Sequence, residues 1–212
     1  MAVEPLETYE QALRAHFAGL DLVHWWPART RFEVIAGALL VQNTSWQNVA
    51  LALARLRHAG KLSLQGVRGL SEAELGGLIR SSGTWRMKAR RLRGFVLWLD
   101  RQHAGSLDQL FAQPVWQARR QLLAVDGIGA ETADAILAYA GDKASWIEDA
   151  YTRRICARHD LVIERAAVET SPRRCRELHA LLVETAKRYC RKRQPACGLC
   201  PLLPLLPAGG LK

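Results

Sequence analysis

The residues best suited to chemistry lie between positions 126 and 149. The stretch DGIGAETADAILAYA, residues 126–140, sets Gly127 and Gly129 before a run of helical spacing, and WIEDAY follows with Glu148 and Asp149. Glycines in such a turn permit positive φ and close approach of another chain. The first amides of the next helix carry partial positive charge, so the turn can hold a phosphate without a long basic side chain. A Gly-rich connection in an ordinary helical bundle has the same pattern, and both readings stand at this point. Carboxylates at Asp126, Glu131, Asp134, Asp142, Glu148 and Asp149 can cap helices, face water, or stabilise a cation at a reacting carbon. Glu131 is the odd one, an acid where an anion is expected. Cys190, Cys197 and Cys200 have the spacing C-x6-C-x2-C, that of reduced thiols or metal ligands. Trp25, Trp26 and Pro27, with Trp46 on a neighbouring segment, are flat or rigid groups able to line an aromatic slot or to pack as ordinary core.

The elements that must position these residues read as helices almost throughout, with no alternating strand pattern, so the fold class is all-α. RFEVIAGALLVQ is apolar nearly all round and predicts a central buried helix. SEAELGGLIRSSG opens with Ser71 as cap and Glu74 three residues on, and Ser171 with Pro172 opens RRCRELHALLVETAKRYC. MKARRLRGFVLWLDRQH places basic residues on one face and Leu92, Phe95, Val96 and Leu99 on the other, while Trp98 and Trp116 read as ordinary apolar-face residues. With 212 residues and 49% apolar content, the chain can bury one ample core or two small ones sharing a cleft. Thirty Lys and Arg against twenty Asp and Glu give a formal charge of +10, which favours a polyanionic partner. The apolar run VIAGALLV is too short to cross a bilayer, and the acidic start MAVEPLETYE is unlike a signal peptide. A cytoplasmic, nucleoid-associated protein is expected.

LLAVDGIGAETADAILAYA, then Asp149, then YTRRI resembles the helix-hairpin-helix glycosylases of the endonuclease III superfamily, which excise damaged bases from DNA. FEVIAGALLVQNT resembles that family's central helix and Gln-containing loop, SSGTWRMKARRL its second DNA-facing loop, and the C-terminal cysteines its iron–sulfur loop. Within the superfamily, HWWPARTRFEVIAGALLVQNTSW is most similar to the 3-methyladenine DNA glycosylase III type.

The resemblance implies two helical domains flanking a DNA-binding cleft. One is a six-helix unit over residues 25–143 with the helix-hairpin-helix, and the other joins residues 1–24 to 144–212. It implies Asp149 as the catalytic carboxylate and puts Glu131 where lyase-competent members carry a Schiff-base lysine. A monofunctional enzyme using water is therefore expected, with Glu131 near the sugar where positive charge develops. Trp25, Trp26, Pro27 and Trp46 become the substrate slot, suited by stacking and cation–π contact to a cationic alkylated purine of the 3-methyladenine type. Gln42, Asn43 and Thr44 become the loop that fills the gap in the duplex, and Gly83, Thr84 and Trp85 the wedge opposite. Arg86, Lys88, Arg90, Arg91 and Arg93 either track the phosphates next to that wedge or form a solvated charged face, and Gly127, Gly129 and Ala130 of the hairpin become backbone contacts to DNA. The family's fourth cluster cysteine falls on Leu206. A 4Fe–4S cluster with one other ligand, a zinc site at Cys190, Cys197 and Cys200, and a metal-free relic loop all remain open. The partner is double- or single-stranded DNA with damaged bases, and a monomer is expected. Two other readings are an endonuclease III-like enzyme for oxidised or mismatched pyrimidines and a DNA-binding module that has lost catalysis.

Overall fold

The computed structural model describes residues 5–207, and among them all regular structure is helical. The chain forms two compact units: one spans Pro27–Lys143, and the other joins the segment ending at Trp26 to the segment beginning at Ala144. The sequence places the start of the central domain at Trp25. The boundary instead follows Trp26, because Trp25 is bound by the terminal unit, its indole Nε1 donating to Glu184 at 3.2 Å.

The central unit is built on α2 (Arg31–Leu40), whose residues from Phe32 to Leu40 are all buried. Thr30 Oγ1 accepts from the Glu33 amide to start the helix. Glu33, a buried acid, is satisfied by the Arg29 amide at 2.7 Å and Arg57 at 3.2 Å, as a buried charge requires. Around it stand α3 (Trp46–His58), α4 (Leu64–Arg68), α5 (Glu72–Leu78), α6 (Trp85–His103), α7 (Leu107–Phe111), α8 (Val115–Leu123) and α9 (Ala130–Ala135). Ser71 and Glu74 form the expected reciprocal capping box on α5. This unit thus exceeds the six expected helices; α4 and α7 are five residues each, too short for a periodic apolar pattern to reveal. The chain after α9 runs on as a π-helical turn, Ile136–Ala140, packed with α9 against α2.

The terminal unit packs α1 (Leu6–His16) and α10 (Ala150–His159) on α12 (Pro172–Arg188), with the short α11 (Arg165–Val168) between the last two in sequence. Its core gathers Leu6, Tyr9, Leu13, Phe17, Trp146, Ile155, Leu178, Leu181 and Leu182. Ser171 caps α12 through its hydroxyl and Pro172 occupies the first turn, so the longest helix of this unit starts where the sequence predicts. Buried Glu177, held by Arg14 at 2.6 Å and Arg173 at 2.5 Å, ties α1 to α12. None of the described helices is long and apolar enough to cross a membrane.

Candidate functional site

Asp149 is the N-cap of α10. Its Oδ1 accepts from the Thr152 amide at 2.7 Å, which satisfies one of the helix's orphan donors. The side chain is buried, with the residue 7% exposed. Its Oδ2 lies 3.6 Å from Nε2 of His179 on α12, an ion-pair distance rather than a hydrogen bond. Burial pushes the carboxyl up, but His179 and the Thr152 bond together outweigh it and leave Asp149 below its ordinary range. Asp149 is therefore a buried carboxylate held ionised at neutral pH. His179 was missed by sequence reasoning. It reads as one more residue of an amphipathic helix, and only the tertiary fold sets it against the loop after Trp146.

Trp25 belongs to the same neighbourhood. Its ring meets His179 edge-on, with centroids 5.6 Å apart at 88°. It also meets Trp26 edge-on at 6.5 Å. Glu184 takes its Nε1 hydrogen, and Lys187 Nζ stands 5.3 Å over its ring. The structure thus brings together Asp149, His179, Trp25, Glu184 and Lys187 in the terminal unit. Trp46 and Pro27 belong to the central unit, Trp46 as the first residue of α3 and Pro27 exposed.

In the central unit the hairpin runs from α8 to α9 through Ala124–Gly129. Gly127 has φ 81°, which favours glycine, and a Cβ there would lie 2.2 Å from Arg91 Cδ, so any larger residue also displaces the Arg91 side chain. Gly129 has open space where a Cβ would stand, and Gly129, Ala130 and Glu131 are exposed. Glu131 lies in the first turn of α9, where an acid complements the helix dipole. This accounts locally for a negative charge at a turn rich in amide donors.

Several expected DNA contacts are differently employed. Gln42 is expected to fill a gap in the duplex, but its amide nitrogen donates to Gly127 O at 2.9 Å and Thr132 Oγ1 at 3.1 Å. Its oxygen accepts from Arg91 at 2.9 Å. The side chain braces the hairpin from the end of α2, and the residues left exposed or half-exposed at that tip are Asn43, with φ 55°, and Thr44. Lys88, expected on phosphate, is 1% exposed. Its ammonium donates to Leu40 O at 2.8 Å and Ser82 O at 2.5 Å, which ties the end of α2 to the loop before α6. Arg93 is likewise engaged with Leu70 O. Of the five basic residues, Arg86 and Arg90 are exposed. Gly83 and Thr84 form an exposed tip with φ 67° and 33°. Trp85 is half-buried against Gly76, with Arg86 4.3 Å from its ring centroid. Trp116, expected on an apolar face, is 63% exposed beneath Arg120, because α8 buries only Ala118 and Leu122.

Cys190, Cys197 and Cys200 line one pocket in the terminal unit together with Arg158, His159, Tyr189, Leu203 and Leu206. Leu206, at the position of a fourth ligand, presents an alkyl group with no donor atom. Arg158 Nη1 donates to Cys190 Sγ at 3.0 Å and to Arg191 O at 2.9 Å, and Arg154 Nε donates to Cys190 O at 2.6 Å. Among the described residues no group of three or more His, Cys, Asp or Glu is arranged to hold a metal ion. Three thiols and Leu206 supply one thiolate fewer than a four-thiolate 4Fe–4S cluster takes, and two arginines of α10 also engage Cys190.

The chain matches the family model for the HhH-GPD superfamily base excision DNA repair protein over residues 36–180. A Methanocaldococcus jannaschii protein assigned as a DNA repair glycosylase is 36% identical over 191 residues, covering 84% of this chain and 86% of that one. Bovine endonuclease III-like protein 1 is 28% identical, with 86% of this chain matching 60% of that longer protein. Among solved structures, the H. pylori 3-methyladenine DNA glycosylase bound to 1,N6-ethenoadenine superposes with TM-score 0.71 at 26% identity, over 84% of this chain and 96% of that one. A non-covalent endonuclease III–DNA complex superposes with TM-score 0.79 at 20% identity over 97% and 95%, a likeness of fold. The buried carboxylate at the start of α10, the glycine hairpin and the family match lead to one conclusion: the chain belongs to the HhH-GPD superfamily of base excision DNA repair proteins and is a DNA glycosylase.

Proposed function

We propose that this glycosylase is monofunctional and hydrolyses the N-glycosidic bond of a flipped alkylated purine of the 3-methyladenine type. The observation that carries the reading is Asp149, a buried carboxylate kept ionised and anchored by the Thr152 amide. A fixed negative charge of this kind stabilises an oxocarbenium-like sugar and orients the attacking water. An N3- or N7-alkylated purine leaves without a proton from the enzyme, so the chemistry needs no separate acid. Glu131 has no amine with which to attack the sugar, so the product is an abasic site rather than a Schiff base. Trp25 and Trp26 supply aromatic surface for the base, while Gly127, Gly129, Ala130, Gly83 and Thr84 supply backbone for the phosphates and the opened duplex. A DNA-bound monomer in the cytoplasm is the setting proposed for this activity.

A second reading, excision of an oxidised or mismatched pyrimidine, is favoured by Lys187, whose ammonium already stands over the Trp25 ring and competes with a cationic purine for it. Duplexes carrying alkylated purines, thymine glycol or mismatched thymine, assayed with and without alkali, separate the two. Release of methylated adenine, strand breaks only after alkali, and no borohydride-trapped adduct are expected. Asp149→Asn is expected to lower base release by at least about 100-fold with duplex binding retained. Retained turnover in that variant, or a trapped covalent adduct in good yield, rejects the mechanism.

A further inference from the structure

On the reading of Asp149 as the carboxylate facing the sugar, we infer that His179 is the positioning residue of the site, one imidazole set between Asp149 Oδ2 on one side and the edge of Trp25 on the other. Oδ1 is fixed by the Thr152 amide at 2.7 Å. That bond alone leaves the second oxygen unplaced, because the terminal torsion of an aspartate is broad. His179 Nε2 faces that oxygen at 3.6 Å, close enough to become a hydrogen bond on a small closure when substrate binds. The same ring meets Trp25 edge-on at 5.6 Å. Trp25 is gripped from the same helix by Glu184, through Nε1, and by Lys187, over its face.

His179 is itself buried on α12, a 17-residue helix fixed at its start by Ser171 and Pro172 and packed on α1 and α10. It is therefore a rigid bridge rather than a mobile surface side chain. The charged groups set against this bridge and its tryptophan include Asp149 from the start of α10, facing His179, and Glu184 and Lys187 from α12, facing Trp25. A group that contacts base and a group that contacts sugar must keep a fixed spacing, since misplacement by about 1 Å costs on the order of 100-fold in rate. In this chain one histidine touches both. It does not meet the reacting atoms, and it acts through Asp149 and Trp25.

The test uses the full chain with His179→Leu and His179→Gln, read two ways. The first is the single-turnover rate of base release, beside duplex affinity, on whichever lesion the wild type processes. The second is the titration of the Asp149 carboxyl carbon by NMR, which needs no substrate. Leu is expected to lower the rate on the order of 10- to 100-fold at unchanged affinity and to move the Asp149 titration to higher pH. Gln, whose amide still donates towards Oδ2, is expected to recover most of both. An unchanged rate and titration in the Leu variant, or equal loss with Leu and Gln, overturns the inference. A wild type that releases no base from any lesion overturns the proposed substrate and mechanism instead, and the Asp149 titration then decides the role of His179 by itself.

Discussion

Asp149 has a structural task in the fold and, under the proposed function, a chemical one as well. Capping α10 gives its carboxylate an amide partner, and burial beside His179 strengthens that interaction while excluding water. The same arrangement makes the fold sensitive to acid. Asp149 is held below its ordinary 3.8, so the unfolded chain takes up its proton first as the pH falls; the stability present at neutral pH is lost as the pH drops from 3.8 through the folded value. Burial likewise holds His159 below its ordinary 6.5, only partly offset by its bond to Leu205 O. The unfolded state again binds the proton first, and stability is lost as the pH falls through 6.5 and below. Urea midpoints measured from neutral pH downward are therefore expected to fall in two steps. Replacement of His159 by Gln is expected to remove the upper step, and its persistence in that variant would reject the assignment.

At the scale of elements, the hairpin is held by side chains that resemble surface residues in the sequence. Arg91 packs across Gly127 and donates to Gln42, which donates in turn to Gly127 O and Thr132. Gly127→Ala places a methyl group into Arg91 at a positive φ, so it is expected to lower stability by about 1–3 kcal/mol by urea unfolding. Lys88 joins α2 to the loop before α6 and is shielded from solvent. Lys88→Met leaves two carbonyls without their donor and is expected to cost about 2 kcal/mol with no change in the salt dependence of DNA binding. Arg86→Gln with Arg90→Gln should do the converse, leaving the melt unchanged and flattening log K against log salt by roughly 1–2 units. In the terminal unit, Leu206→Cys restores the fourth thiol of C-x6-C-x2-C-x5-C. It is expected to raise bound iron and visible absorption above wild type in anaerobic preparations. Equal, stoichiometric iron in both proteins would show that three thiols suffice.

Across the whole molecule, much was legible in the sequence because it depends on short-range chemistry. The buried run of α2, the Ser71 and Ser171 caps, the glycine hairpin and Asp149 before α10 are local patterns of polarity, torsion and capping. They were sufficient to indicate an all-α chain with a glycine hairpin, and the order of its motifs carried the resemblance to the family. Other features depend on residues distant in sequence. His179 gains its meaning only where α12 meets the start of α10. Gln42 ceases to be an exposed amide only because Gly127, Thr132 and Arg91 converge on it. Lys88 and Arg86 lie two positions apart in one basic run, yet one is buried and the other exposed, since the helical period turns them to different faces and only packing selects which face is covered. The sequence by itself determined the longer helices and their caps and offered Asp149 as a candidate acid. Tertiary structure alone decided which charges face solvent and which partner holds Asp149, because burial and long-range pairing are properties of the assembled core.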